Sequence, residues 1–303
     1  MPLAADRRRF LLWKSLGTVL QYLPVQFAVR VAQIAGWLVA LRATPTRSVA
    51  EDNLRTILES DSDAAIDEKV LRRWVRRYYA SYARYWAEGA TLPAMDAGTA
   101  HGRIMFVEGE EIIRAAVAKG KGVIVALPHI GSWEWGGALV ARLGFPMTAV
   151  AEELEPPELF QWFVDQRQAV GLIIEPLDHN AAKRISQTLR AGGLVGLLCD
   201  RDIVGDGITA DLLGRSTSIP AGPAMLALRT DAELIAGVVY SGPGNQHCVH
   251  IVGPIDTERQ ANLRSDVTRV TQNLADTLSD LIRRTPEQWH VFVPAFRDTV
   301  GKK

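Results

Sequence analysis

Two short stretches constrain this chain more than anything else in it. Residues 122–127 read GVIVAL and residues 194–199 read LVGLLC. Neither alternates apolar with polar, so neither has a face for water. Such runs are strands buried on both sides, which is the pattern of a parallel sheet covered by helices on both faces. Around them the periodicity switches repeatedly. Residues 104–107, 147–151, 172–175, 233–240 and 248–252 read as strands, with another near 209–213. Residues 110–118, 133–143, 158–170, 181–191, 220–229 and 263–284 read as helices. The fold class is therefore α/β, a mainly parallel central sheet flanked by helices.

The first fifty residues differ from the rest. They carry Arg7, Arg8, Arg9, Lys14, Arg30, Arg42 and Arg47 against the single acid Asp6, whereas the whole chain balances 34 bases with 34 acids. The longest uncharged runs there, 15–29 and 31–41, fall short of the roughly 20 apolar residues a spanning helix needs. Residues 10–42 read as one or two amphipathic helices lying against something apolar. Trp13, Tyr22, Phe27 and Trp37 suit a lipid interface, and the arginines suit anionic headgroups. The division expected is a basic membrane-facing segment at 1–50 and an α/β domain at 51–303.

Residues 51–58 read as a short helix and 64–90 as a long one, with Asp63 as its cap. The long helix interleaves Arg72, Arg73, Arg76, Arg77 and Arg84 with Trp74, Tyr78, Tyr79, Tyr82, Tyr85 and Trp86. That pattern fits a packed aromatic face with snorkelling arginines; it also fits contact with RNA, a headgroup or a nucleotide-bearing cofactor. The zero net charge argues against a general nucleic-acid binder. Two cysteines, Cys199 and Cys248, exclude a disulfide scaffold and a four-cysteine zinc site.

In open α/β sheets, sites lie beyond the carboxyl ends of the strands. The first apolar run is followed by Pro128-His129-Ile130-Gly131-Ser132-Trp133-Glu134, the second by Asp200-Arg201-Asp202. His129 in a strand-to-helix turn suits a general base whose second nitrogen is held by a carboxylate. Glu134 can reach it only from the first helical turn, because residues five apart on one helix diverge by roughly 140°. Ser132 is placed to cap that helix. Asp200 and Asp202 compete as the acid from the second strand. No G-x-S-x-G, G-x-G-x-x-G or Walker sequence is present. His247 and His250 fall on opposite faces of a strand, so no metal site is expected from them.

At this point VIVALPHIGSWEWGG resembles the H-x4-D/E motif of bacterial glycerolipid and glycolipid acyltransferases, in the branch holding the lipid A late acyltransferases. FVDQRQAVGLIIEP, around Arg167, is similar to the stretch where that family has an acceptor-contacting arginine. The sequence from Gly192 through CDRD to Thr230, and AELIAGVVY after it, resemble the following strands and helix. The resemblance covers roughly residues 50–295. Within the branch the chain looks most like the phosphatidylinositol mannoside acyltransferases of actinobacterial type, with Glu134 as the second motif residue and Cys-Asp-Arg-Asp in the acidic turn.

The resemblance implies transfer of a fatty acyl group, palmitoyl being the expected chain, from acyl-CoA to a mannose hydroxyl of phosphatidylinositol mannoside. The alternative is another acceptor in the same family, such as a lysophospholipid or a lipid A precursor taking lauroyl or myristoyl. His129, Glu134 and Asp200 are the catalytic candidates, with Asp200 and Glu134 both holding the imidazole. Arg167, Arg201, Ser132 and Asp202 are the substrate-binding candidates, and amides of the turn after His129 are expected to bind the oxyanion. No metal or cofactor beyond the acyl-CoA donor is implied, and no nucleic acid. The expected location is peripheral, on the cytoplasmic face of the plasma membrane.

Overall fold

The computed structural model describes residues 11, 14, 15, 17–62, 64–203 and 205–296. Arg7, Arg8, Arg9, Trp13 and Asp63, singled out above, lie outside them. Among the described residues, seven strands form one sheet: β1 (Ile104–Glu108), β2 (Val123–Leu127), β3 (Met147–Ala151), β4 (Ile173–Pro176), β5 (Leu194–Leu198), β8 (Glu233–Ser241) and β9 (His247–Val252). Between β5 and β8, β6 (Ile208–Leu212) and β7 (Arg215–Ile219) pair as a separate antiparallel hairpin. The order across the sheet is β1-β9-β8-β2-β5-β3-β4. β8, β2, β5, β3 and β4 run parallel, and β9 turns back against β8. The expectation of a mainly parallel sheet holds.

Helices cover both faces. α1 is Val25–Val39, α2 Pro45–Glu59, α3 Glu68–Thr91 and α4 Ala97–His101. Then come α5 (Glu110–Ala118), α6 (Trp133–Arg142), α7 (Pro157–Gln168), α8 (Ala181–Arg190), α9 (Gly222–Thr230) and α10 (Leu263–Arg284). Ile124 and Ala126 of β2 pack toward α2, α3, α8, α9 and α10, while Val123, Val125 and Leu127 pack toward α5, α6 and α7. That is why the apolar run shows no alternation: both sides of the strand are core.

Several boundaries differ from the sequence reading. α3 starts at Glu68, capped by the Asp67 carboxylate accepting from the amides of Lys69 and Val70. α2 begins at Pro45, with Thr44 as its cap, so the division expected at residue 50 falls inside a helix. The strand β7 reads RSTSI and carries too little apolar character to stand out. The aromatic residues of α3 form a packed face: Tyr78 and Tyr82 lie against Phe292 with ring centres 4.8 and 4.6 Å apart.

α1 packs closely on α3 through small residues. Ala28, Val29 and Gly36 are buried, and a Cβ on Gly36 would overlap the Tyr79 carbonyl oxygen. The opposite side of α1 leaves Phe27, Val31, Ile34 and Trp37 exposed. Arg76 of α3 lies over the Trp37 ring at 5.0 Å. Among the described residues, no helix is long and apolar enough to cross a membrane.

Candidate active site

β2 and β5 are neighbours, with Leu127 opposite Leu198. Their carboxyl ends therefore bring the residues that follow them side by side. The Cys199 amide donates to the Leu127 carbonyl, and one residue later Asp200 meets His129. His129 Nδ1 lies 2.5 Å from Asp200 Oδ1, and the His129 amide donates to Asp200 Oδ2 at 2.8 Å. The Trp289 indole N–H donates to the same Oδ2 at 2.6 Å. Asp200 is fully buried, which pushes its pKa up. The charge of the imidazole and these hydrogen bonds outweigh the burial and hold the carboxyl below its usual range.

An ionised carboxylate only accepts, so the imidazole proton facing it sits on Nδ1. In the neutral imidazole, Nε2 is then left with a lone pair. His129 lines a cleft of about 1290 Å³ that runs along the carboxyl ends of β3 and β5 and the starts of α8, α9 and α10. Much of its wall is apolar, including Leu154, Ile185, Leu198, Ile203, Met225 and Val267. Arg167 and Arg201 line it too.

Asp202, the competing acid, is occupied elsewhere. It accepts from the amides of Gly205 and Gly207 and from the Ser218 hydroxyl, closing the loop before β6. Its role is to shape that loop, and it makes no bond to His129. Glu134 departs from the expectation that it holds the imidazole. Its Oε1 accepts from the Tyr85 hydroxyl at 2.8 Å and from Arg167 at 3.3 Å. It sits in the first turn of α6, and these bonds run to α3 and α7, with none to His129. Arg167 also stacks over Trp133 and Phe163, at 5.0 and 5.6 Å from the ring centres. Burial, followed by the nearby Glu134 charge, pushes the Tyr85 hydroxyl well up, so it serves as a neutral donor. Ser132 stands at the start of α6, buried, with no side-chain bond capping the helix.

The turn after His129 is rigidly held. Gly131 has φ +60°, and a Cβ there would overlap the Val239 carbonyl. The amides of Ile130, Gly131 and Ser132 donate to the carbonyls of Pro128, Gln288 and Val239. These three amides are therefore committed and do not form the expected oxyanion site. Arg167 lines the cleft and is paired with Glu134.

The residues that the sequence reading missed come from the segment after α10. Besides Trp289, the His290 amide donates to the His129 carbonyl at 2.7 Å. The His290 ring is buried against Tyr82 and Tyr85, with Nε2 2.9 Å from Ser81 Oγ. Burial, with the nearby His129 charge, pushes its pKa down to about 3, so it stays neutral. PEQWHVFV carries no catalytic pattern, and only the tertiary fold brings it to the site. His247 is buried and stacked on Trp135, away from the half-buried His250. No cluster of His, Cys, Asp or Glu placed to hold a metal occurs among the described residues.

The profile of the bacterial lipid A biosynthesis acyltransferases matches residues 7–298. The chain belongs to that family. It is 34% identical over 230 residues to the phosphatidylinositol mannoside acyltransferase of Mycolicibacterium smegmatis, covering 73% of this chain and 71% of the relative. It is 32% identical over 222 residues to the protein of the same name from Mycobacterium tuberculosis strain H37Rv, covering 71% and 67%. The chain is thus an acyltransferase.

Proposed function

We propose that this acyltransferase moves a fatty acyl group, palmitoyl as the expected chain, from acyl-CoA to a mannose hydroxyl of phosphatidylinositol mannoside. The observation that carries the reading is the His129–Asp200 pair opening on a large cleft that is apolar along much of its wall and is also lined by Arg167 and Arg201. The names of the relatives support the acceptor. Nε2 of His129 takes the proton of the acceptor hydroxyl as its oxygen attacks the thioester carbonyl. The buried Asp200 carboxylate offsets the imidazolium charge, and general base catalysis of this kind supplies typically 10²–10⁴-fold. The C–S bond then breaks, and the thiolate leaves with the proton from the imidazolium. Arg167 is positioned to meet the charge on the carbonyl oxygen or on the acceptor's phosphate. Arg201, on the cleft wall, is a further contact for substrate phosphates.

We also propose that the protein works as a peripheral protein on the cytoplasmic face of the plasma membrane. The exposed apolar side of α1, flanked by Arg30 and Arg42, supports docking on an anionic bilayer. Both substrates carry acyl chains, so a lipid surface is where they would be met. An acceptor panel tests the reading. Purified protein is given labelled palmitoyl-CoA with phosphatidylinositol mannoside, lysophospholipid, a lipid A precursor or no acceptor. Label on the mannoside is the expected result. Label on another acceptor instead would move the substrate within the family.

A further inference from the structure

We propose that Trp289 is a positioning residue for the transfer reaction: its indole N–H and the main-chain amide of His129 together pin one oxygen of Asp200, leaving the other oxygen to orient the imidazole. The inference rests on the reading of His129 as the base. A carboxylate turns easily about its terminal torsion, which is broad and roughly two-fold. Here Oδ2 receives two donors from different directions, the His129 amide at 2.8 Å and the indole at 2.6 Å. Neither donor is free to move. The amide belongs to a turn whose next residues are tied to β8 and to Gln288. The indole is fully buried, and its main chain bridges Ile130 in antiparallel fashion.

The choice of an indole has chemical content. It donates and never accepts or ionises, so it fits an ionised carboxylate and competes with neither nitrogen of the histidine. Trp289 also draws off part of the Asp200 charge. Without it, that oxygen keeps only the His129 amide, the carboxylate is held less firmly, and its charge bears more fully on the imidazole, which then holds its second proton more tightly.

The other titratable groups around the pair are His290 from the same segment, Tyr78 from α3 and Cys199 after β5. Burial keeps all three uncharged near neutral pH, pushing His290 down and the two acids up. Arg167, Arg201, Arg264, Glu152 and Asp206 are charged groups on the cleft wall, and Glu134 is paired with Arg167. A change in the acidic limb of the pH profile on removing the indole N–H therefore reports the pair itself.

The test compares wild type, Trp289→Phe and a full-length chain with 3-benzothienylalanine at position 289. The last keeps the shape of the side chain and replaces N–H by sulfur, so it isolates the donor from packing. The expected result is a kcat lower by about 10- to 100-fold in both, the range for a lost hydrogen bond to a charged group. KM for acyl-CoA and acceptor should be unchanged, and the acidic limb should move to higher pH. A benzothienyl variant with wild-type kcat would overturn the proposal. So would a loss of kcat with the acidic limb unmoved, which is what a merely structural role produces. His129→Ala, run alongside, separates the two claims: if it retains transfer, the assignment of the base fails whatever Trp289 does.

Discussion

Asp200→Asn is the perturbation whose outcome the hydrogen bonds determine most fully. Two N–H donors, from His129 and Trp289, point at the Oδ2 position. An asparagine must therefore place its carbonyl oxygen there and its amide nitrogen against His129 Nδ1. Two N–H groups cannot face each other, so Nδ1 becomes the acceptor and the imidazole proton moves to Nε2. The lone pair that faced the cleft is lost. The expected fall in kcat is about 10²–10⁴-fold, the range that general base catalysis supplies. Folding should change little, because both donors keep a partner. Asp200→Ala differs, since it leaves two buried donors unsatisfied at about 1–3 kcal/mol each. Initial rates, thermal melting and the ¹⁵N shifts of the histidine ring together separate the cases. An Asp200→Asn protein that kept wild-type kcat, or that melted as early as Asp200→Ala, would refute the reasoning.

Three further outcomes are expected. Gly131→Ala should destabilise the fold by at least about 2 kcal/mol, because it puts a Cβ in a left-handed turn against the Val239 carbonyl; thermal unfolding checks this. Phe27→Glu with Ile34→Glu should weaken co-sedimentation with anionic vesicles and leave the melting temperature unchanged, since both side chains are exposed. Burial pushes Glu88 up from 4.5 to about 7, opposed by Arg84, so the folded state binds its proton more tightly than the unfolded chain does. Its contribution to stability is complete below about pH 4.5 and is lost as pH rises through about 7, and Glu88→Gln should flatten the stability curve in that window.

The sheet was legible because a strand with core on both faces cannot hide its composition: residues 122–127 and 194–199 have no polar position to spare. The pairing of His129 with Asp200 was half legible. Each residue follows such a strand, but that β2 and β5 are adjacent is a matter of topology. Choosing Asp200 over Asp202 needed the loop in which Asp202 binds two amides and a hydroxyl. Glu134 was visible as a motif residue, yet its direction depends on where α3 and α7 place Tyr85 and Arg167. The commitment of the amides at 130–132 is backbone bonding across distant segments, which side-chain pattern does not record. Trp289 and His290 reach the site only because the chain after α10 crosses behind the catalytic turn. Polar β7 was invisible for the opposite reason, since its partner is a short hairpin strand and not the central sheet.

The central claim is that His129 drives acyl transfer to phosphatidylinositol mannoside. It is met most directly by mass spectrometry of that acceptor after incubation with palmitoyl-CoA and either the wild-type protein or His129→Ala of matched melting temperature. A gain of one palmitoyl group with the wild type and none with the variant is the expected result. Equal acylation by both proteins, or an unmodified mannoside alongside acylation of another lipid, would contradict it.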